Sequence, residues 1–347
     1  MIEPVRMLPH SKAGWLGLAA GAVGLTIAPF FVPGYYVELG TTALTAAMLA
    51  LSLHLLVGAT GLVSLGHGAL YGLAAYVVYL MTPRDAALPF WMTLPAAMAV
   101  AGLVALLMGL LALRTKGFFF LMVTLAFGQM IFFVFHDTKI GGGNDGAFLA
   151  KPLIAAFGME LDLPRRQRPL GPYYFALVQL ILMYGVIAWL LRSLFGRVLE
   201  GIRVNEHRMR AIGFNTTRYK LAAFVLAGVF AGAAGHMWTM HRGFVNPEIV
   251  GWHKSAEALL MILLGGLGSL HGAIIGALAY TALGEVSQLI TERKLLVEGL
   301  VILAVVLILP KGLAGLGWRK PVPAKPYAYD GGQAADLDPS TIEARHD

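Results

Sequence analysis

Charged side chains at helical spacing lie within Phe195–Gly235, a segment between two apolar runs. Glu200 precedes Arg203 by three positions and Glu206 precedes Arg210 by four, so each pair can form an ion pair on one helix face. The basic residues of the segment are Arg197, Arg203, Arg208, Arg210, Arg218 and Lys220. These side chains can form ion pairs with one another or with another molecule that docks on the segment. They match no hydrolytic or redox motif.

The same segment carries apolar residues at helical spacing. Val198, Ile202, Met209 and Ile212 recur at intervals of 4, 7 and 3, which predicts one helix with an apolar stripe. Short basic loops stay on the cytoplasmic side of a membrane, so the loop 192–220 is predicted to be cytoplasmic. Our hypothesis is that this helix is a docking site for a soluble partner.

A repeated motif places a second set of polar residues in apolar surroundings. GLVSLGHGA at 61–69 recurs as GLGSLHGA at 266–273, with no counterpart for Gly66. The alternative to duplication is chance similarity between helices rich in Gly and Ala. In transporters, paired Gly-interrupted segments in the two halves indicate a substrate path near the middle of the membrane. The motif predicts these path residues: Gly61, Ser64, Gly66, His67, Gly68, Ser269, His271 and Gly272.

Four polar side chains within apolar segments have two interpretations each. His67 and His271 hold matching positions in the repeat, where a histidine can cap a helix end or contact a substrate. Thr124 and Gln129, within 118–135, can form hydrogen bonds between helices or extend the path. Both interpretations stay open for each residue.

Two acidic residues and a Gly-rich turn lie near the ends of predicted spans. Glu257 and Glu285 are ionisable groups in apolar surroundings, and an interfacial position is expected for both. The segment 141–146 carries Asn144 and Asp145 among four glycines. It is either an ordinary turn or the external mouth of the path.

Composition excludes several classes of function. The chain has no cysteine, so disulfides, thiol catalysis and Cys-ligated metals are excluded, and we expect neither a metal nor a cofactor. It has no Walker A sequence, which predicts that this chain does not itself bind ATP. The formal net charge is +7, but the basic residues flank apolar runs, so contact with a lipid bilayer is expected and contact with nucleic acid is not.

Long apolar runs must position these residues. Hydrophobic residues make up 58% of the chain and charged residues 13%, roughly half the charged share of a soluble domain. The sequence predicts an all-α bundle of about ten membrane spans with helix breaks; eight or nine spans are the alternatives. The apolar runs are 15–33, 40–58, 61–81, 91–113, 118–136, 173–191, 221–241, 255–290, which is predicted to cross twice, and 295–309.

Loop charges set the predicted topology. With both termini in the cytoplasm, the basic residues that follow the last span also lie inside, as the positive-inside bias requires. The membrane domain is predicted to cover 1–320, with an external loop at 137–172. Residues 321–347 are polar and rich in Pro, Gly and Asp, which predicts a disordered cytoplasmic tail.

Several segments, kept in order between about residues 40 and 317, together resemble one family. They are TGLVSLGHGALYGLAAY at 60–76, LRTKGFFFLMVTLAFGQ at 113–129, GGNDG at 142–146, the whole of 195–235, GFVNPEIVG at 243–251, LLGGLGSLHG at 263–272 and LPKGLAGL at 309–316. The chain resembles the membrane-spanning permeases, of the LivM type, that belong to ABC importers for branched-chain amino acids.

The resemblance implies a half-channel in a bacterial inner membrane. Such a subunit pairs with a homologous second permease, docks two cytoplasmic ATPase subunits and accepts substrate from a periplasmic binding protein. It is not itself an enzyme, because ATP hydrolysis belongs to the partners. The resemblance assigns ATPase coupling to Arg203, Glu206, Arg210, Ala211, Gly213 and Lys220.

The chain departs from the family pattern at two places. Val204 stands in Arg203-Val204-Asn205-Glu206 where such permeases often have Glu, and His271 stands where Trp or Phe is frequent. Permeases for urea and short amides belong to the same branch, so these substrates are an alternative. A self-sufficient channel or secondary transporter is the alternative of another class. It would need coupling-ion residues buried in the spans, and the sequence has few.

Overall fold

The computed structural model describes residues 12–82, 88–149, 170–290, 293–309 and 312–315. Within these ranges the chain is almost entirely helical, and only β1 (Ala147–Phe148) and β2 (Phe244–Val245) form a two-stranded antiparallel ladder. The predicted all-α bundle with broken helices is thereby confirmed. The helices are α1 (Lys12–Ile27), α2 (Gly34–Thr60), α3 (His67–Met81), α4 (Phe90–Ala112), α5 (Phe118–Asp137), α6 (Leu170–Arg192), α7 (Leu194–Val204), α8 (Glu206–Ala211), α9 (Thr216–Arg242), α10 (Trp252–Gly265), α11 (Leu270–Ile290) and α12 (Lys294–Ile308).

Helix length and composition bear on the number of membrane spans. Among the described residues, α2, α4, α5, α6, α9 and the segment Leu295–Gly315, which includes most of α12, are long and apolar enough to cross a membrane. The pair α10 and α11 is bent by 112° and would add a seventh if it is one span, whereas α3 has only 15 residues. The count of about ten spans therefore stays a prediction. The predicted tail, 321–347, and positions 150–169 of the predicted external loop lie outside the described residues.

Contacts near helix ends give the relative directions of the helices. Thr42 in the first half of α2 lies 3.3 Å from His241 near the end of α9. Ala59 at the end of α2 packs with Ala223 near the start of α9, so these two helices are antiparallel. Tyr35 in the first turn of α2 donates a hydrogen bond of 2.5 Å to Glu285, late in α11. Because α11 also packs along α2, it too runs against α2. The Glu285 contact places this carboxylate near a helix end, as an interfacial group would be.

The two copies of the repeat have the same sense. Thr239 on α9 donates to the carbonyl of Ala75 on α3, and α3 runs parallel to α9 and therefore against α2. Gly68 faces Ser255 and Gly72 faces Val250, so α10 runs against α3. Each copy thus follows a helix that runs toward the end of the bundle with α7 and α8, called here the basic end, and precedes one that runs away from it.

The core of the bundle is built around α2 and α9. α2 is apolar on every side and buried along nearly its whole length, as expected of a helix surrounded by other helices. α9 carries small residues at helical spacing, and a Cβ at Gly228 or Gly232 would press on alanines of α4. Large apolar side chains are exposed on the outer faces of α4, α5 and α6, which suits contact with lipid.

Candidate functional site

The first copy of the repeat forms a break between α2 and α3. Gly61 follows α2 in a left-handed conformation, φ +74°, that residues with a Cβ rarely adopt. The chain stays non-helical through Gly66, and α3 begins at His67. Thr124 on α5 holds the break, because its Oγ1 accepts a hydrogen bond of 3.3 Å from the amide of Leu65.

The second copy forms a matching break between α10 and α11. Gly266 has φ +104°, the chain is non-helical through Ser269, and α11 begins one residue later. A Cβ at Gly272 would lie 2.8 Å from the carbonyl oxygen of Gly266, so the break closes tightly on itself. Both copies therefore end a helix at a glycine with positive φ, and the extra residue Gly66 belongs to the longer first break.

A direct contact joins the first copy to the helix before the second break. The amide of Gly68 donates a hydrogen bond of 2.6 Å to Ser255 Oγ on α10. A Cβ at Gly68 would lie 2.9 Å from Ser255 N and 3.0 Å from the carbonyl oxygen of Gly251. The start of α3 and the first turn of α10 are therefore packed directly against each other.

Buried polar groups collect around the first break. His67 Nε2 lies 2.9 Å from Ser52 Oγ, which fixes the imidazole against α2. Within the described part of the chain, Ser64 Oγ, His67 Nδ1 and both ring nitrogens of His54 are buried without a hydrogen-bond partner. Each such group costs about 1–3 kcal/mol, so these atoms are candidates to bind water or a passing polar substrate.

His54 was missed by the sequence reasoning. It is fully buried in the last two turns of α2, and a Cβ at Gly58, one turn later, would lie 2.8 Å from its Nε2. The signal was available, because an ionisable residue inside a long apolar run is a functional candidate by default.

The structure brings some of the other predicted path residues to the breaks and leaves others apart. Thr124 and Gly128 lie one helical turn apart on the face of α5 that packs against the first break. Gln129 is half-buried and follows Gly128 by one position, so its side chain starts from the neighbouring face of α5. His271 is buried in the first turn of α11, adjoining the second break.

The predicted external mouth follows the C-terminal end of α5, whereas the start of α5 packs near the start of α9 at the basic end. Asn144 and Asp145 are exposed in a 3-10 turn, Ile140–Asp145, that follows the helix. A 20-residue helix is about 30 Å long, so this turn is remote from the basic end. The turn leads into β1, whose Phe148 lines the cavity described next.

A cavity of about 800 Å³ opens near this end, between α5, α9, α10 and the two strands. This outer cavity is defined by Phe132, Trp238, Arg242, Phe244, Lys254 and Glu257. Lys254 Nζ lies 2.7 Å from Glu257 Oε2 and 5.3 Å from the centre of the Trp238 ring. Among the charged residues of this cavity, only Glu257 was singled out from the sequence, as an ionisable group in apolar surroundings. The charged residues following the apolar run 221–241 were the overlooked signal.

The basic loop contains two helices, which corrects the prediction of a single helix with one apolar stripe. The chain breaks at Asn205, whose side chain accepts a hydrogen bond of 2.9 Å from Arg208 N and caps α8. Val198 and Ile202 on α7 are buried, whereas Ile212 just after α8 is 62% exposed. Met209 on α8 is half-buried, with its side chain beside Gly201 on α7. The break at Asn205 therefore divides the predicted stripe between two helices.

Glu206 forms the centre of an ion cluster that ties α8 to α9. Its carboxylate lies 2.6 Å from both Arg210 and Lys220, and Thr216 Oγ1 donates to it at 3.0 Å. Partial burial opposes ionisation, but the hydrogen bonds from Lys220 and Thr216 and the charges of Lys220 and Arg210 lower the pKa of Glu206 from 4.5 to about 2. The carboxylate is therefore ionised at neutral pH. The predicted pair of Glu206 with Arg210 is present, but it is one part of a larger cluster.

Arg203 makes a different contact from the one predicted. The expected pair with Glu200 is replaced by a hydrogen bond from its Nη1 to the carbonyl oxygen of Gly58, in the last turn of α2. Its Cγ would lie 3.7 Å from a Cβ at Gly61, the first residue of the break. A guanidinium at a helix C-terminus satisfies a carbonyl that has no partner within the helix. α7 is thereby joined to the first break.

Arg203→Met is expected to lower substrate uptake at least tenfold while folding survives, because the variant keeps the aliphatic stem and loses a hydrogen bond from a charged group, worth about 1.5–3 kcal/mol. Uptake by membrane vesicles measures this. Arg197→Met is the matched control, since Arg197 is exposed on the same helix. Equal uptake by the two variants would show that the contact with Gly58 carries no function.

Ala211 and Gly213, the remaining predicted coupling residues, lie at the end of α8. Both are exposed, and Gly213 has φ +97°, which lets the chain turn from α8 toward α9. Asn215 then caps α9 by accepting a hydrogen bond of 3.1 Å from Arg218 N. The six predicted coupling residues thus fall into an ion cluster, an exposed turn and one contact with α2.

Long apolar helices around an interior with two glycine-opened breaks define a multi-pass membrane protein of the transport class. Comparison with known proteins gives the particular family: residues 35–308 match the family described as "Branched-chain amino acid transport system / permease component". The chain belongs to this family and is a permease component, as the resemblance of its motifs indicated.

Individual relatives agree with this assignment. The chain is 32% identical, over 305 residues, to the high-affinity branched-chain amino acid transport system permease protein LivM of Salmonella typhimurium, covering 82% of this chain and 71% of the relative. It is 24% identical over 268 residues to BraD of Pseudomonas aeruginosa, covering 69% and 80%. It is 29% identical over 141 residues to LivH of Salmonella typhimurium, covering 40% and 46%. No solved structure matches the chain at a significant level.

Proposed function

We propose that the chain is one of two permease subunits of an ATP-driven importer for branched-chain amino acids in a bacterial inner membrane. Its breaks line the translocation path, and α7 and α8 dock cytoplasmic ATPase subunits. A periplasmic binding protein delivers the substrate at the end that carries the outer cavity. The observation that supports this most directly is the contact of Arg203 with Gly58, because it joins the basic loop to the path.

The relatives support a pairing of two permeases. LivM and LivH of Salmonella typhimurium carry the name of the same high-affinity transport system, and this chain is similar to both. The similarity to LivM covers most of the chain, whereas that to LivH covers less than half. We therefore propose that this chain takes the LivM position beside a homologous second subunit.

The geometry suggests how ATP binding would open and close the path. The Glu206 cluster holds α8 on the start of α9, so a force applied at α8 reaches the centre of the bundle. Arg203 carries the same force from α7 to the end of α2 and the first break. The contact of Gly68 with Ser255 passes it on to α10. Such a rigid chain of contacts suits alternation between two access states.

Reconstituted uptake tests the proposal. Proteoliposomes that hold this chain, the second permease and the ATPases are supplied with the binding protein and ATP, and uptake of labelled leucine, isoleucine, valine, urea and acetamide is compared. We expect uptake of the three amino acids that needs both ATP and the binding protein. Preferred uptake of urea or acetamide would support the alternative substrate class. Uptake without the ATPases would support a channel or secondary transporter.

Ile212→Asp is expected to reduce ATPase binding at least tenfold, because it replaces an exposed apolar side chain of the proposed docking surface by a charged one. Co-purification of the ATPase subunits with the permease measures this. Ile140→Asp is the matched control, since Ile140 is also exposed but lies at the opposite end of α5. Normal co-purification with the Ile212 variant would place the docking surface elsewhere.

A further inference from the structure

The outer cavity carries charges of both signs beside aromatic walls. We propose that it is a binding site for the zwitterion of an α-amino acid with an aliphatic side chain, occupied before the substrate reaches the breaks. The identity of the substrate class rests on the proposed function. The location and the roles of the residues rest on the geometry of the cavity.

Arg242 is the group that would receive the substrate carboxylate. Its Cζ lies 5.2 Å from the centre of the Trp238 ring, which holds the guanidinium by a cation–π contact. In the described part of the chain, no carboxylate forms an ion pair with Arg242, and the residue is exposed to the cavity. A guanidinium with free donors matches a carboxylate in two-point geometry.

Glu257 is the group that would receive the substrate ammonium. One of its oxygens bonds Lys254, whose Nζ lies 5.3 Å from the centre of the Trp238 ring. The indole ring of Trp238 is therefore close to two cations, Arg242 and Lys254, and Lys254 in turn donates to Glu257. This arrangement puts a positive and a negative group within one cavity, as a zwitterion requires. Urea and acetamide are neutral and therefore cannot form ion pairs with these two groups.

Aromatic side chains supply the apolar part of the site. Phe132 and Phe244 line the cavity together with Trp238, and Phe244 is packed against Phe148 at a ring separation of 4.6 Å. Ligand sites in proteins are typically about 300–1,000 Å³, mostly apolar, with a few convergent polar groups. The cavity of about 800 Å³ fits that description and leaves room for water beside an amino acid.

The cavity also leads toward the breaks. Lys254 is followed by Ser255, which bonds the amide of Gly68 at the start of α3. From there α10 runs toward the basic end and stops at the second break, at Gly266. A substrate held at Arg242 and Glu257 is thus positioned beside the helix that connects the two copies of the repeat.

Equilibrium binding to the complete complex tests the inference without requiring transport. The complex of both permeases and the ATPases is purified in detergent, and binding of labelled leucine is measured without ATP and without the binding protein. We expect Arg242→Gln to weaken leucine binding at least tenfold. Lys139→Gln is the matched control, because Lys139 is exposed at the same end of the molecule and does not line the cavity.

Analogues assign the charges. Isopentylamine lacks the carboxylate of leucine, so its weak binding should not change in Arg242→Gln; 4-methylpentanoate lacks the ammonium, so its binding should fall with that of leucine. Leucine binding that is equal in Arg242→Gln, Lys139→Gln and the parent overturns the inference. An Arg242→Gln variant that keeps its leucine affinity but no longer associates with the binding protein also overturns it.

Leucine import by the parent complex tests the proposed function separately. If the parent imports leucine, the proposed function stands whatever the binding result; if the parent imports no amino acid, the proposed function itself fails.

Discussion

Gly265→Ala is expected to destabilise the bundle by about 3 kcal/mol, the upper part of the usual range for overpacking. A Cβ at Gly265 would overlap the carbonyl oxygen of Gly272, and a Cβ at Gly276 would overlap the carbonyl oxygen of Met261. The atoms in the way belong to the backbone, so no rotamer change can relieve the overlap. α10 and α11 would have to separate, and the second break would lose its shape.

Thermal inactivation of the purified protein in detergent measures this effect. Gly268→Ala is the matched control, because Gly268 lies in the same break and has no atom near its Cβ position. With an unfolding entropy of about 2.1 cal/mol/K per residue, a loss of about 3 kcal/mol corresponds to a fall in melting temperature of roughly 4 °C for a chain of 347 residues. Melting temperatures that agree within 2 °C for the two variants would contradict the close approach of α10 and α11.

Glu206→Lys is expected to abolish ATP-driven uptake and to destabilise the basic loop. The new lysine would lie beside Arg210 and Lys220, so three positive side chains would replace one carboxylate held between two cations. Lys220 is only 14% exposed and Glu206 24%, so solvent screens this cluster less than a surface pair. The spacing of Glu206 and Arg210 alone predicts a pair worth about 0.2–0.5 kcal/mol. The two added partners raise the expected cost of the reversal to about 1–3 kcal/mol.

A charge swap separates this effect from general damage. Lys220→Glu combined with Glu206→Lys restores an ion pair between the same two positions, and uptake should recover to at least a third of the parental rate. Uptake, ATPase co-purification and melting temperature are measured for both single variants and the double variant. If the double variant is no better than Glu206→Lys alone, the contact of Glu206 with Lys220 does not matter for coupling.

The fold class could be predicted because its determinants are local. A run of apolar residues long enough to cross a bilayer is visible in any single sequence, and the basic residues at 192–220 mark its flanks. The duplicated motif was also visible, and Gly61 and Gly266 prove to hold the same position at the two breaks. The apolar run 255–290 was predicted to contain more than one helical segment, and the structure divides it between α10 and α11.

The predictions for the basic loop were wrong where a residue contacts a distant partner and not a near one in the sequence. Arg203 stands three positions after Glu200, yet it bonds the carbonyl of Gly58, 145 positions earlier. Helical spacing shows which neighbours on the same helix Arg203 can reach. It does not show that a free carbonyl at the end of α2 lies within hydrogen-bond distance of its guanidinium. The same limit explains the single apolar stripe, since Asn205 interrupts a pattern that periodicity alone reads as continuous.

The sequence by itself determined the membrane bundle, the basic loop, the repeat and, through its ordered motifs, the family. Each of these depends on neighbours along the chain or on segments that can be compared directly. Only the tertiary structure decided that Arg203 reaches the first break, that His54 is buried without a partner in the described residues, and that Arg242 and Glu257 share one cavity. These are contacts between elements far apart in the chain, and they depend on how the helices pack, which the spacing of residues within one segment does not specify.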